Sequence, residues 1–191
     1  PAKVDERRVQ TADEIRALLN EGYGVTWIDI DGLADVELIR AIGEIFEIHR
    51  LALEDVLTVS QRPKTEDYGE VLFVVNRMPG LTEDGDLDIE QISYFLKGSV
   101  LITFQESEGD CWHPVRERIR QHRGIIRDQG ADYLLYALLD SVVDAWFPIV
   151  EKYGDTLDEI DRMITDNDAT NTVPQLHAIR HELVRARRLF L

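Results

Sequence analysis

Glu54 and Asp55 stand side by side in a short apolar stretch, 51–56. Carboxylates are hard oxygen donors, the type that Mg2+ and Ca2+ prefer. The stretch reads as a helix, on which adjacent residues project about 100° apart, so the pair cannot chelate one ion unaided. Further carboxylates have to come from elsewhere in the chain or from another subunit. By spacing alone, two acids on a surface helix are a solvated face.

Other groupings carry less chemistry. Gln61, Arg62, Pro63 and Lys64 lack the glycine-rich cradle of a phosphate loop. Pro63 restricts Arg62 to an extended conformation, and 60–64 reads as a structural turn. Residues 83–88, with Glu83 leading, place Asp84, Asp86 and Asp88 at the first, third and fifth positions of a calcium loop. Ile89 then stands where glycine is required and Phe95 where the bidentate glutamate belongs, so a polar hairpin connection is expected. His177 and His181 have the four-residue spacing of a transition-metal pair, but Ala178 replaces a metalloprotease glutamate. Both fall outside the Leu176, Ile179, Leu183 face and read as solvated. His49, His113 and His122 have no evident Ser, Cys or Asp partner, and Cys111 has no nucleophile signature. No catalytic residue and no enzyme activity is expected.

Several elements must position these residues. Thr11 and Glu14 form a capping-box pattern before a short helix carrying Ile15, Leu18 and Leu19. The alternating, β-branched 25–31 reads as a strand, and 34–46 as a helix through Val36, Ile39, Ile42 and Phe46. Residues 71–78, 89–96 and 100–104 read as three successive strands. Pro79 and Gly80, with Asp84 and Gly85, make the first connection, and Lys97 with Gly98 the second. Helices alternating with strands and followed by a strand meander predict an α/β fold. Its mixed β-sheet is sandwiched between helices (α/β/α) across 1–130.

From 131 onward the spacing changes. Leu139, Val143, Trp146, Val150, Tyr153, Leu157, Ile160 and Ile164 alternate by four and three, a heptad seam that Pro148 interrupts. Residues 166–171 have turn chemistry, and Leu176, Ile179, Leu183, Ala186 and Phe190 continue as a second seam. Residues 131–191 are therefore expected to extend the fold as a long antiparallel helical hairpin. The first arm is acidic and the second carries Arg180, Arg185, Arg187 and Arg188, which would reinforce register.

With 21 Lys and Arg against 37 Asp and Glu, the chain has a formal charge of −16. Such a surface repels phosphate backbones and favours cations, so no nucleic-acid partner is expected. A lone cysteine fits a reducing compartment. No uninterrupted apolar run approaches the ~20 residues of a membrane span. The start at Pro1 and the end at Leu191 within a helical pattern read as the bounds of a fragment.

The block formed by Leu53, Glu54, Asp55, then Gln61 to Lys64, Glu66 and Tyr68, resembles the CorA family of divalent-cation channels. The similarity continues through 92–106, 112–120, 124–127 and 131–140; Pro148 departs from the family pattern. The resemblance implies the cytoplasmic domain of a multi-pass Mg2+/Co2+ transporter that assembles as a homopentamer. The stalk helix, two transmembrane helices and Gly-Met-Asn pore motif fall outside this sequence. It further implies a metal site in which Asp55, helped by Glu54, meets a stalk acid of the neighbouring subunit, with Asp140 joining the cluster. The ion would be a weakly held regulatory Mg2+, with Co2+ possible, bound at subunit interfaces and favouring the closed state. Two alternatives stay open: a zinc-transporting relative of the same superfamily, and a helical-hairpin interaction module.

Overall fold

The computed structural model describes residues 3–82, 84–165 and 172–190. Five strands form one mixed sheet in the order β1-β5-β4-β3-β2. They are β1 (Thr26–Asp31), β2 (Lys64–Asp67), β3 (Val71–Leu81), β4 (Leu87–Lys97) and β5 (Val100–Gln105). β2 to β5 form an antiparallel meander. β1 runs parallel to β5, in a register that sets Ile28 beside Ile102.

Alternation along the strands sends side chains to two covered faces. Phe73, Val75, Phe95, Ile102 and Phe104 pack with Ile15 of α1 (Ala12–Leu19), Ile39, Ile42 and Phe46 of α2 (Val36–Phe46), and Ala52 and Val56 of α3 (Arg50–Leu57). On the opposite face Val74, Ile92, Tyr94 and Leu101 pack with Val115 of α4 (His113–Arg120). Leu134, Leu135, Leu138 and Val142 of α5 (Ala131–Thr165) complete that layer. The α/β/α sandwich is thus as expected, and α5 serves both expected parts of the chain, with its first turns in the core and its remainder beyond the sheet. The Thr11 capping box opens α1 as predicted.

Four local expectations differ from the structure. Residues 64–67 are a strand at the sheet edge and not the end of a turn, because β3 supplies their hydrogen-bond ladder. Residues 113–120 form α4, an element the sequence does not predict. Pro79 and Gly80 lie within β3, paired with Ile89 and Asp88, and the reversal comes later. There the Thr82 carbonyl accepts from the Gly85 N–H at 2.9 Å, and Gly85 adopts the positive φ of 84° that favours glycine. Lastly, the heptad seam of α5 is buried only in part. Of the seam residues Ile160 is buried and Leu139, Trp146 and Tyr153 are half-buried, whereas Val143, Val150, Leu157 and Ile164 are exposed; Ile149, outside the seam, is buried. A straight helix drifts about 20° per heptad, so a strict seven-residue repeat cannot keep facing one partner.

α5 runs as one helix of 35 residues through Pro148. An 18-residue window in it reaches a mean hydropathy of 1.4, enough by length and composition alone to cross a membrane, although no uninterrupted run signals it. α6 (Thr172–Phe190) packs against the distal part of α5, burying Ile179, and the Tyr153 hydroxyl donates to the Glu182 carboxylate. Among the described residues no ion pair joins the acidic and arginine-rich arms, contrary to expectation. The turn at 166–171, Glu83 and the side chain of Phe190 lie outside the described residues.

Candidate functional site

The helix that bears Asp55 is fixed at both ends. At its start the His49 imidazole Nδ1 accepts from the Leu51 N–H at 3.3 Å, and the ring stacks on Tyr68 with centroids 5.2 Å apart. Gly43 lets α2 cross close beneath, since a Cβ there would lie 2.2 Å from Leu53 Cδ1. At its end Gln91 Nε2 donates to the Asp55 carbonyl at 2.9 Å, while Gln91 Oε1 accepts from the Gln61 N–H at 3.0 Å. Arg77, 1% exposed, donates to the Val59 carbonyl at 3.1 Å and to the Gln61 carbonyl. The turn after α3 is therefore structural, as its sequence suggested, and is held by two buried side chains of β3 and β4.

Asp55 is partly buried and Glu54 exposed, so the neighbours do face different ways. Lys64 Nζ donates to Asp55 Oδ2 at 2.5 Å and to Glu66 Oε1 at 2.9 Å, and the Tyr68 hydroxyl donates to Glu66 Oε2 at 2.8 Å. Burial would lower the Lys64 ammonium, but its bonds to Asp55 and Glu66 outweigh that and hold it above the usual lysine range. Lys64 holds the Glu66 carboxyl below its ordinary value, helped by Tyr68. The sequence places Lys64 only in the turn and does not predict this pairing. Period-two spacing of Lys64 and Glu66 was the available signal.

Asp140 is exposed on α5, and α5 and α3 cover opposite faces of the sheet. The structure therefore does not bring Asp140 to Asp55 and Glu54 within one chain. Among the described residues no group of three or more His, Cys, Asp or Glu is placed to hold a metal ion. The donor chemistry of Asp55 and Glu54 suits a hard divalent cation, but one chain offers only part of a coordination shell.

A second charged cluster lies at the C-terminal ends of β1 and β5. Arg116 grips Asp110 with both Nη atoms, at 2.7 and 2.6 Å, and reaches Asp29 at 2.5 Å. Its guanidinium lies 5.0 Å from the Trp27 ring centroid. Gln105 Nε2 donates to Asp29 and Asp31, each at 3.0 Å. Burial raises the Asp31 carboxyl, and the nearby Asp29 and Asp110 raise it further. One arginine fills the space among these acids, so the cluster fastens α4 to the sheet.

The remaining sequence candidates fall as follows. His177 and His181 are exposed on α6, Asp84 and Asp86 belong to the hairpin connection, and Asp88 lies in β4 opposite Gly80. Burial, then Asp110, pushes the Cys111 thiol up to about 11, opposite to what a nucleophile needs.

The pattern of one protein family, CorA-like Mg2+ transporter protein, matches residues 22–191. A cobalt/magnesium transport protein CorA from Thermotoga maritima is 42% identical over 166 residues, covering 85% of this chain and 47% of that protein. The chain spans about half the length of that protein and of the putative metal ion transporter YfjQ from Bacillus subtilis. The soluble domain of CorA from Methanocaldococcus jannaschii superposes with a TM-score of 0.72 at 19% identity, covering 89% of this chain and 67% of that one. The ZntB cytoplasmic domain from Vibrio parahaemolyticus gives a TM-score of 0.60 at 18% identity, covering 85% and 70% respectively. Both likenesses concern the fold.

Proposed function

Because this chain belongs to the CorA-like Mg2+ transporter family, we propose that it is the metal-sensing and gating part of a CorA-type Mg2+/Co2+ channel. It would lie on the cytoplasmic side of a membrane in a homopentameric parent. Asp55, supported by Glu54, offers carboxylate oxygen to an ion shared across a subunit interface, where Asp140 of a neighbouring subunit adds another. The observation that carries this reading is the placement of these acids. They sit on helices that cover opposite faces of one sheet, which supports an ion shared between chains over one held within a chain. A bound divalent cation would supply the charge that lets the carboxylates approach. Without that charge the acids of neighbouring subunits repel each other, and the closed arrangement loses its differential stabilisation. Few direct ligands make a weak site, suited to an abundant ion such as Mg2+ that keeps much of its water; Co2+ is a second candidate occupant.

The test is limited proteolysis of the full-length parent with and without Mg2+. Asp55→Ala is expected to remove Mg2+-dependent protection; unchanged protection overturns the assignment of Asp55. A second reading, a module whose hairpin binds partner helices, draws on the exposed Tyr136, Val143, Phe147 and Val150 of α5. Two hydrophobic spans of ~20 residues in the parent reading frame beyond Leu191 decide for the channel. Zn2+ bound selectively over Mg2+ would favour a zinc-transporting relative instead.

A further inference from the structure

Lys64 is delivered to Asp55 by the fold and not by a chance rotamer. β2 pairs Lys64 with Val75, and its ammonium lies 5.5 Å from the Phe73 ring centroid. The side chains of Lys64 and Asp55 are only 27% and 23% exposed, and their Nζ–Oδ2 distance is 2.5 Å. From the other side Gln91 and Arg77 pin the end of α3 and the turn that follows it. Both partners are therefore positioned by the fold itself. The second acceptor is Glu66, two residues further along the same face of β2, and Tyr68 holds its other oxygen.

We propose that Lys64 is a tethered competitor of the divalent cation at Asp55, covering Oδ2 in the ion-free state and retiring onto Glu66 when the cation binds. The proposal rests on the reading of Asp55 as a cation ligand. An ammonium satisfies the carboxylate at no cost in lost water from a dication. A hard cation has to displace it and then tolerate a positive charge nearby. Glu66 limits that penalty, because Lys64 keeps a partner after leaving Asp55. Lys64 thereby sets the ion concentration at which the interface fills, and Glu66 tunes it the opposite way.

The experiment is the Mg2+ midpoint for protease protection of the full-length parent, measured for wild type and for Lys64→Met, Glu66→Gln and Asp55→Ala, with melting temperatures as folding controls. Removing a part-buried ion pair from the competing state is expected to lower the Lys64→Met midpoint about threefold to tenfold. Glu66→Gln confines Lys64 to Asp55 and is expected to raise the midpoint about twofold to threefold. Loss of protection in Asp55→Ala with an unmoved or raised Lys64→Met midpoint overturns the competitor and leaves the metal site standing. Full protection retained in Asp55→Ala overturns both. Should Lys64→Met melt early, the Glu66→Gln midpoint decides: an unmoved or lowered value overturns the competitor.

Discussion

Arg116→Met tests how the sheet holds α4. In the folded chain Arg116 binds Asp110 through two bonds and Asp29 through a third, and the side chains of Arg116, Asp29 and Asp110 are 25%, 22% and 7% exposed. Breaking a fully buried pair from one side costs about 3–5 kcal/mol. Solvent reaches Arg116 and Asp29, which reduces the expected loss to about 2–3 kcal/mol at neutral pH. For a chain of this size that corresponds to a fall in melting temperature of about 5–10 °C. Burial alone would raise the Asp110 carboxyl; bonds from Arg116 and the Trp112 N–H outweigh it and hold the folded value below the ordinary one. The wild-type contribution is therefore present above the unfolded value and is lost as pH falls through the lowered folded value. In Arg116→Met only the Trp112 N–H and Gln105 still oppose burial, so the folded value rises and the stabilisation gained by ionising Asp110 is weakened. The difference between variant and wild type should thus shrink from neutral pH toward about pH 4, near the ordinary aspartate range. Urea unfolding followed by tryptophan fluorescence reads it directly, since Trp27 and Trp112 flank the guanidinium. A loss under about 0.5 kcal/mol at neutral pH, or one that grows on acidification, refutes the reasoning.

Two further variants probe neighbouring links in the structure. Arg77→Lys keeps the charge but cannot span both the Val59 and Gln61 carbonyls. It should cost about 1–2 kcal/mol in urea unfolding and speed amide exchange in 57–63 ahead of the rest of the sheet. Tyr153→Phe removes the hydroxyl that ties α5 to Glu182 of α6. Amide exchange in α6 should rise about threefold to tenfold, with the sheet unchanged.

The sandwich was legible where local chemistry and tertiary packing agree. The alternation of 26–31, the Thr11 capping box and the Gly98 hairpin each point to the element observed. β2 was missed because Lys64, Thr65, Glu66 and Asp67 hold no apolar residue; its ladder comes wholly from β3. In α5 apolar residues occupy most positions, so periodicity could not say which face the sheet takes. The site divides in the same way. That Glu54 and Asp55 diverge follows from helix geometry, and the structure agrees. The bonds among Lys64, Asp55 and Glu66, and the grip of Arg116 on Asp29 across 87 residues, depend on strand order that no local pattern encodes.

The central claim, that Asp55 and Asp140 meet only between chains, is tested most directly by disulfide trapping in the full-length parent. In a Cys111→Ser background, Asp55→Cys combined with Asp140→Cys should give oligomeric ladders under mild oxidation without added Mg2+, since the double variant has lost the repulsion together with the ligands, and neither single variant should. Their helices cover opposite faces of one sheet, so a bond within one chain is excluded by the fold. A double variant that stays monomeric under those conditions, or that forms only an intrachain bond, contradicts the interface site.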